Sequence, residues 1–134
     1  MSNQYLYEKL DVLKQISLLK DIPECIVSNL NENIVLRDYQ EEAFRYFITY
    51  YKNPDLVKNK QVHTLFHMAT GSGKTVMMAG LILYLYMQGY RKFLFFVNQK
   101  SIIEKTKENF LNPSSIKYLF ADTIELMGEQ VEVK

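Results

Sequence analysis

Hydrophobic residues recur at helical spacing in two stretches of the first half of the chain. From Gln4 to about Lys20 apolar residues fall every three or four positions, which predicts an amphipathic helix interrupted at Asp21-Ile22-Pro23. A longer helix is predicted from Asp38, because Asp38 and Glu41 have the spacing of a capping box. Its apolar face is predicted to consist of Ala43, Phe44, Phe47, Ile48 and Tyr51, and Asn53-Pro54 is predicted to end it.

The second half alternates between short and long apolar runs. Gln61–Met68, Lys92–Val97 and Ile116–Phe120 have the length and composition of strands. Val76–Met87 is long enough for a buried helix, and Ser101 with Glu104 predicts a further capped helix to about Phe110. Strands that alternate with helices at these lengths favour an α/β fold with a three-layer parallel sheet. Gly89 is predicted to end the first of the two helices in a left-handed conformation.

A glycine-rich segment, Met68-Ala69-Thr70-Gly71-Ser72-Gly73-Lys74-Thr75, joins the first predicted strand to the apolar helix. Strand, glycine-rich loop and helix in this order are typical of a P-loop, although Met68 stands where the general pattern has glycine. Gly71 and Gly73 allow backbone conformations in which successive N–H groups face a phosphate chain. Lys74 would contact the β- and γ-phosphates, and the Thr75 hydroxyl would bind Mg²⁺. The alternative interpretation is a glycine-rich turn that binds nothing.

Length, composition and charge limit the number of domains and the classes of protein and binding site that the sequence allows. The 134 residues suit one compact domain, and no apolar run has the length of a membrane span. The single cysteine, Cys25, excludes an internal disulfide and is typical of a cytoplasmic protein. A net charge of +1 gives no indication of nucleic-acid binding. His63 and His67 lack nearby cysteines or carboxylate clusters, so they are interpreted as structural rather than as metal ligands.

Three segments together resemble a known family. LRDYQEEAFRYF from Leu36, HMATGSGKT from His67 and KFLFFVNQKSIIEKTKENF from Lys92 resemble the start of the first RecA-like motor domain of superfamily-two helicases and translocases. The similarity is greatest to restriction-enzyme subunits of type III or type I, which are related to DEAD/DEAH proteins and often have MATGSGKT as their first motif. The resemblance implies a truncated RecA-like P-loop NTPase domain over residues 34–134, after an N-terminal helical segment at 1–33.

The resemblance also implies that the chain binds ATP with Mg²⁺. Gln40 matches the family's adenine-recognising glutamine, and Arg37 matches the arginine that precedes it near the base. A solvated side chain for Gln40 and a surface charge for Arg37 are the alternatives. Lys74 and Thr75 would be the catalytic residues. The full set of expected nucleotide contacts is Arg37, Gln40, Ala69, Thr70, Gly71, Ser72, Gly73, Lys74, Thr75 and Val76, with Thr75 also on Mg²⁺.

Asn98-Gln99-Lys100 and Ser101 fall where the family contacts the nucleic-acid backbone. Relatives commonly have Asp-Arg at the first two positions, so the local charges differ here. Amides, a hydroxyl and a helix N-terminus can still bind phosphate oxygens without regard to base sequence. A capped polar turn with no ligand is the alternative interpretation.

No acidic box of the DExx type, which the family needs to hold Mg²⁺ and orient water, occurs in the sequence. We therefore expect an N-terminal fragment of a larger cytoplasmic restriction motor that binds ATP but does not hydrolyse it efficiently alone. Expected partners are double-stranded DNA, through the full-length protein, and a modification or specificity subunit, but no membrane. A small P-loop kinase or GTPase and a non-catalytic nucleotide-binding module are the alternatives.

Overall fold

A computed structural model describes residues 4–134. Its elements in chain order are α1 (Leu6–Gln15), α2 (Glu24–Val27), α3 (Asp38–Lys52), a 3₁₀ turn (Lys58–Lys60), α4 (Lys74–Met87), α5 (Lys100–Leu111), β1 (Ile124–Leu126) and β2 (Glu129–Val131). The chain forms two compact units. The first unit contains the described residues up to Ile22 together with Leu36–Ala69, and the second contains Pro23–Val35 together with Thr70–Lys134.

In the first unit, α1 and α3 are joined by polar contacts at their exposed edges. The Tyr46 hydroxyl donates to the Asp11 carboxylate, and Lys14 forms an ion pair with Glu42. Burial and the two neighbouring carboxylates raise the pKa of the Tyr46 phenol, so it remains a donor. The buried hydrophobic side chains described in this unit are Leu10, Leu19, Phe44, Phe47, Ile48 and Tyr50.

The first helix ends earlier than the apolar pattern predicts. Ser17 takes a left-handed conformation with φ 57°. The N–H groups of Ser17 and Leu18 then donate to the carbonyls of Lys14 and Leu13 at 3.0 and 2.8 Å. These two bonds are the Schellman arrangement that closes a helix C-terminus, although serine occupies the position that usually holds glycine. The helix therefore stops at Gln15, and the predicted continuation to Lys20 is wrong.

In the second unit, α2 packs against α4. Ile26 of α2 and Met77, Ala79 and Leu83 of α4 are buried, so the predicted buried helix is confirmed. The predicted C-terminal end of α4 at Gly89 is also confirmed. Gly89 has φ 105°, and the N–H groups of Gly89 and Tyr90 close the helix on the carbonyls of Tyr86 and Leu85.

Asn29 connects α2 to the C-terminal hairpin. Its side-chain oxygen accepts the N–H of Glu125 at 2.7 Å, and its amide nitrogen donates to the Glu125 carbonyl at 3.0 Å. The same nitrogen donates to the Cys25 carbonyl at 3.0 Å, and the side chain is only 3% exposed. The buried amide makes with Glu125 the two bonds that a neighbouring strand would make.

The hairpin itself was not predicted. Strands β1 and β2 pair antiparallel, with Ile124 opposite Val131 and Leu126 opposite Glu129. Met127 and Gly128 both have positive φ, at 55° and 76°. A two-residue loop with two positive φ values is the type I′ turn whose twist suits a hairpin.

The three predicted strands do not form a ladder among residues 4–134. Gln61–Met68 and Lys92–Val97 have no regular secondary structure, and Ile116–Phe120 contributes one bridge, from Phe120 to Leu30. Leu65, Leu94 and Phe96 are more than four-fifths exposed. A strand of a parallel sheet is buried on both faces and needs paired neighbours. The three-layer parallel sheet therefore remains a prediction, as do the domain boundaries at residues 33 and 34.

Replacing Asn29 with alanine should lower the free energy of unfolding by about 2 kcal/mol, since a buried backbone group left without its partner costs about 1–3 kcal/mol. Urea unfolding followed by circular dichroism measures the change. Asn33→Ala is the matched control, because Asn33 is exposed and its side-chain amide donates to the nearby side chain of Asn31. Equal midpoints for the two variants would contradict the structural role of Asn29.

Burial raises the pKa of the Cys25 thiol. Because the folded chain holds the thiol proton more tightly than the unfolded chain, folding stability should fall as pH rises above the unfolded value of roughly 8.5. The rate of alkylation by iodoacetamide should rise with pH at a higher midpoint in the native chain than in urea. Coincident midpoints would show that the thiol is not perturbed.

Candidate nucleotide-binding site

The glycine-rich loop has the backbone conformation that the sequence predicts. Gly71 has φ 78°, and Gly73 has φ 83° with ψ 34°, so both lie in the left-handed region. A Cβ atom added to Gly71 would meet no atom within 4 Å. The requirement for glycine at that position is therefore conformational and does not come from crowding. Two left-handed residues around Ser72 turn the chain directly into α4.

The N-terminus of α4 has the properties of an anion site. Gly73 is the N-cap, and its carbonyl accepts the first helical bond from Met77 at 3.1 Å. The first N–H groups of a helix have no acceptor within the helix, and a glycine cap supplies no side-chain oxygen for them. The first turn contains no acidic residue, and the Lys74 side chain is exposed. These features leave the positive end of the helix dipole suited to a phosphate group.

The segment Asn98–Ser101 forms the start of α5. Helix α5 begins at Lys100, with Gln99 as N-cap and no side-chain capping bond. The predicted capping box of Ser101 and Glu104 is wrong, because Ser101 already lies in the first helical turn. All four residues are exposed, so the structure presents three polar side chains and a lysine at an uncapped helix N-terminus.

Gln40 caps α3 in place of the predicted capping box of Asp38 and Glu41. The side-chain oxygen of Gln40 accepts the N–H of Arg37 at 2.9 Å, and Arg37 is the N-cap. The predicted Asp38–Glu41 box is therefore wrong by one position. Gln40 is 5% exposed, which excludes its interpretation as a solvated side chain.

Arg37 is exposed, and its guanidinium donates to the Tyr39 hydroxyl at 3.0 Å. Tyr39 did not enter the sequence-based site, although the spacing of two residues would allow this contact. Arg37 and Gln40 belong to the first compact unit, as does Ala69, whereas Thr70–Val76 belong to the second.

Candidate metal ligands are few. Among residues 4–134, no group of three or more His, Cys, Asp or Glu side chains is arranged to hold a metal ion. A Mg²⁺ ion at the half-buried Thr75 would therefore depend on phosphate oxygens for much of its coordination. In the same part of the chain, none of the helices is both long and apolar enough to span a membrane.

Comparison with known proteins gives two matches. The family profile described as "Type III restriction enzyme, res subunit" matches residues 33–133. The chain is also similar to the "Probable type III restriction-modification enzyme HindVIP Res subunit" of Haemophilus influenzae, with 44% identity over 115 residues. That alignment covers 82% of this chain and 22% of the relative, so the chain spans about a fifth of the relative's length. No solved structure matches the chain at a significant level.

Removal of the Gln40 side chain should lower the free energy of unfolding by about 1 kcal/mol, the usual contribution of a helix cap. Glu41→Ala should change it by less than about 0.5 kcal/mol, because Glu41 is exposed and its neighbour Gln40 makes the capping bond. Chemical unfolding of both variants measures the difference. A larger loss for Glu41→Ala would restore the capping box predicted from sequence.

Proposed function

This chain belongs to the family of type III restriction enzyme Res subunits, and we propose that it forms the ATP-binding part of a DNA-dependent restriction motor. The observation that carries the proposal is the pair of left-handed glycines, Gly71 and Gly73, placed directly before the uncapped N-terminus of α4. This arrangement suits the phosphate chain of a nucleotide.

In this proposal, the backbone of residues 69–73 and the first N–H groups of α4, up to Val76, surround the phosphates. Lys74 contributes a positive charge, and its exposure allows it to reach the outer phosphates. The Thr75 hydroxyl would join Mg²⁺, which neutralises phosphate charge when it is bound. These roles fit the geometry of the loop, and they assign its residues to binding and orientation.

For the base, we propose that Gln40 recognises adenine. One amide can donate to N7 of adenine and accept from its N6 amino group. The bond from Arg37 N–H supports this role, because it limits rotation of the Gln40 side chain before any ligand binds. Arg37 would then lie near the base.

We further propose that Asn98–Ser101 contact the phosphate backbone of DNA. Their exposure at an uncapped helix N-terminus supports contacts that do not depend on base sequence. In the longer protein, the partners would be double-stranded DNA and a modification subunit, which places the complex in the cytoplasm. Because the sequence contains no DExx-type box, we propose that this chain alone binds ATP but hydrolyses it inefficiently.

Isothermal titration of the chain with ADP and GDP, each with Mg²⁺, tests these assignments. ADP should bind more tightly than GDP, and Lys74→Ala should weaken ADP binding about tenfold or more, because a charge-assisted hydrogen bond contributes about 1.5–3 kcal/mol. Lys117→Ala, also at an exposed lysine, should bind ADP like the wild type.

Equal affinities for ADP and GDP would contradict the role of Gln40 and favour a different P-loop class. Unchanged ADP binding by Lys74→Ala would contradict the P-loop assignment itself. Tight binding without hydrolysis, even in the full-length protein with DNA, would favour a non-catalytic nucleotide-binding module.

A further inference from the structure

The first unit contains a cavity whose described lining residues do not include any residue of the glycine-rich loop. It has a volume of about 560 Å³, within the range of roughly 300–1,000 Å³ that is usual for small-molecule sites. The N-terminal end of α1, the loop after α3 and the side chain of Tyr50 surround it. Its lining residues in the described part of the chain are Gln4, Tyr5, Leu6, Lys9, Tyr50, Leu56, Lys58, Asn59, Gln61 and His63.

The charged side chains among the described lining residues are positive. Lys9 and Lys58 contribute two ammonium groups, and none of the described lining residues carries a carboxylate. Among the described residues, the salt bridges of the first unit pair Lys14 with Glu42 and Arg45 with Asp21, so they involve neither of these lysines. In α1, the Glu8 carboxylate accepts the N–H of Tyr5 at 2.7 Å. The cavity therefore favours an anionic ligand, although the whole chain has a net charge of only +1.

The lining also contains an aromatic ring that is open to a ligand. Tyr5 is 68% exposed and stacks with Tyr7 at 5.9 Å between ring centroids and 10° between planes. An exposed ring beside positive charge is the combination that holds a nucleotide, with the base on the ring and the phosphate on the cation. An acidic peptide would use the lysines but would gain nothing from stacking.

Hydrogen bonds within the protein hold one wall of the cavity in place before a ligand binds. The Tyr50 hydroxyl accepts the N–H of His63 at 3.2 Å and donates to the His63 carbonyl at 3.4 Å. Tyr50 is 4% exposed, so these bonds anchor the loop to the core of the unit. Bonds of this kind reduce the ordering that a ligand must impose when it binds.

We propose that this cavity binds a nucleotide unit of single-stranded nucleic acid, with its phosphate at Lys9 and Lys58 and its base against Tyr5. The site lies outside the loop and helix assigned to ATP, and it does not depend on the function proposed for them. A free mononucleotide has the same chemistry, so the test must separate the two sources.

The test uses the whole chain and a fluorescein-labelled oligothymidylate of about ten nucleotides, a length typical of single-strand sites. Fluorescence anisotropy at several salt concentrations measures its affinity. Tyr5→Ala should weaken binding at least fivefold through loss of stacking, and Tyr5→Phe should bind like the wild type. Lys9→Gln with Lys58→Gln should weaken binding and reduce the slope of log affinity against log salt by about 0.7, because the two lysines contact one phosphate.

The matched control is Lys20→Gln with Lys117→Gln, which removes the same charge from two exposed positions outside the cavity. Wild-type affinity in the cavity variants, or equal losses in the control pair, would overturn the proposal. Equally tight binding of a hexaglutamate peptide would also overturn it in favour of an acidic protein partner. Full competition by thymidine monophosphate would identify the ligand as a free nucleotide, and weak competition would identify it as a strand.

A second measurement uses the wild-type chain and therefore tests the proposal even if the variants fold poorly. In the wild-type chain, the unlabelled oligonucleotide should shift the backbone amide NMR signals of Asn59, Gln61 and His63. Shifts confined to Asn98–Ser101 would place strand binding at α5 and contradict the cavity site.

Discussion

The buried amide of Asn29 is the interaction on which the second unit depends. A two-stranded hairpin such as β1–β2 is marginally stable in water by itself. Asn29 joins it to α2 by two bonds to the backbone of Glu125, and the Asn29 carbonyl accepts the N–H of Ala121 at 2.9 Å. The bridge between Leu30 and Phe120 continues this pairing. Since α2 packs on α4, the same contacts stabilise the helix that follows the glycine-rich loop.

The four long helices differ in whether a side chain caps the N–H groups at their N-termini. In the first unit, Glu8 caps α1 and Gln40 caps α3 through the backbone N–H groups of Tyr5 and Arg37. In the second unit, neither α4 nor α5 has a side-chain cap. The N–H groups at a helix N-terminus without a side-chain cap can donate hydrogen bonds to phosphate oxygens. The two uncapped ends are those that the family resemblance assigns to nucleotide and nucleic acid.

Apolar composition predicted the long helices that the structure contains, whereas the parallel strands that it predicted remain a prediction. A helix closes its hydrogen bonds within itself, so Lys74–Met87 forms close to where its apolar run predicts it. A strand requires a partner from elsewhere in the chain, and the segments that contain the exposed Leu65, Leu94 and Phe96 form no ladder among residues 4–134. The hairpin did form, and the glycine at position 128 was the signal for its turn.

The sequence by itself determined the local backbone of the candidate site. Left-handed conformations at Gly71, Gly73 and Gly89 follow from residue type, because glycine lacks the Cβ atom that penalises positive φ. Tertiary structure alone decided which polar side chains are buried. Asn29 bonds to a residue 96 positions away, and Tyr50 fixes the loop at His63. Tertiary packing decides which polar groups are shielded from water and so need a hydrogen-bond partner within the protein. No local sequence pattern contains that information.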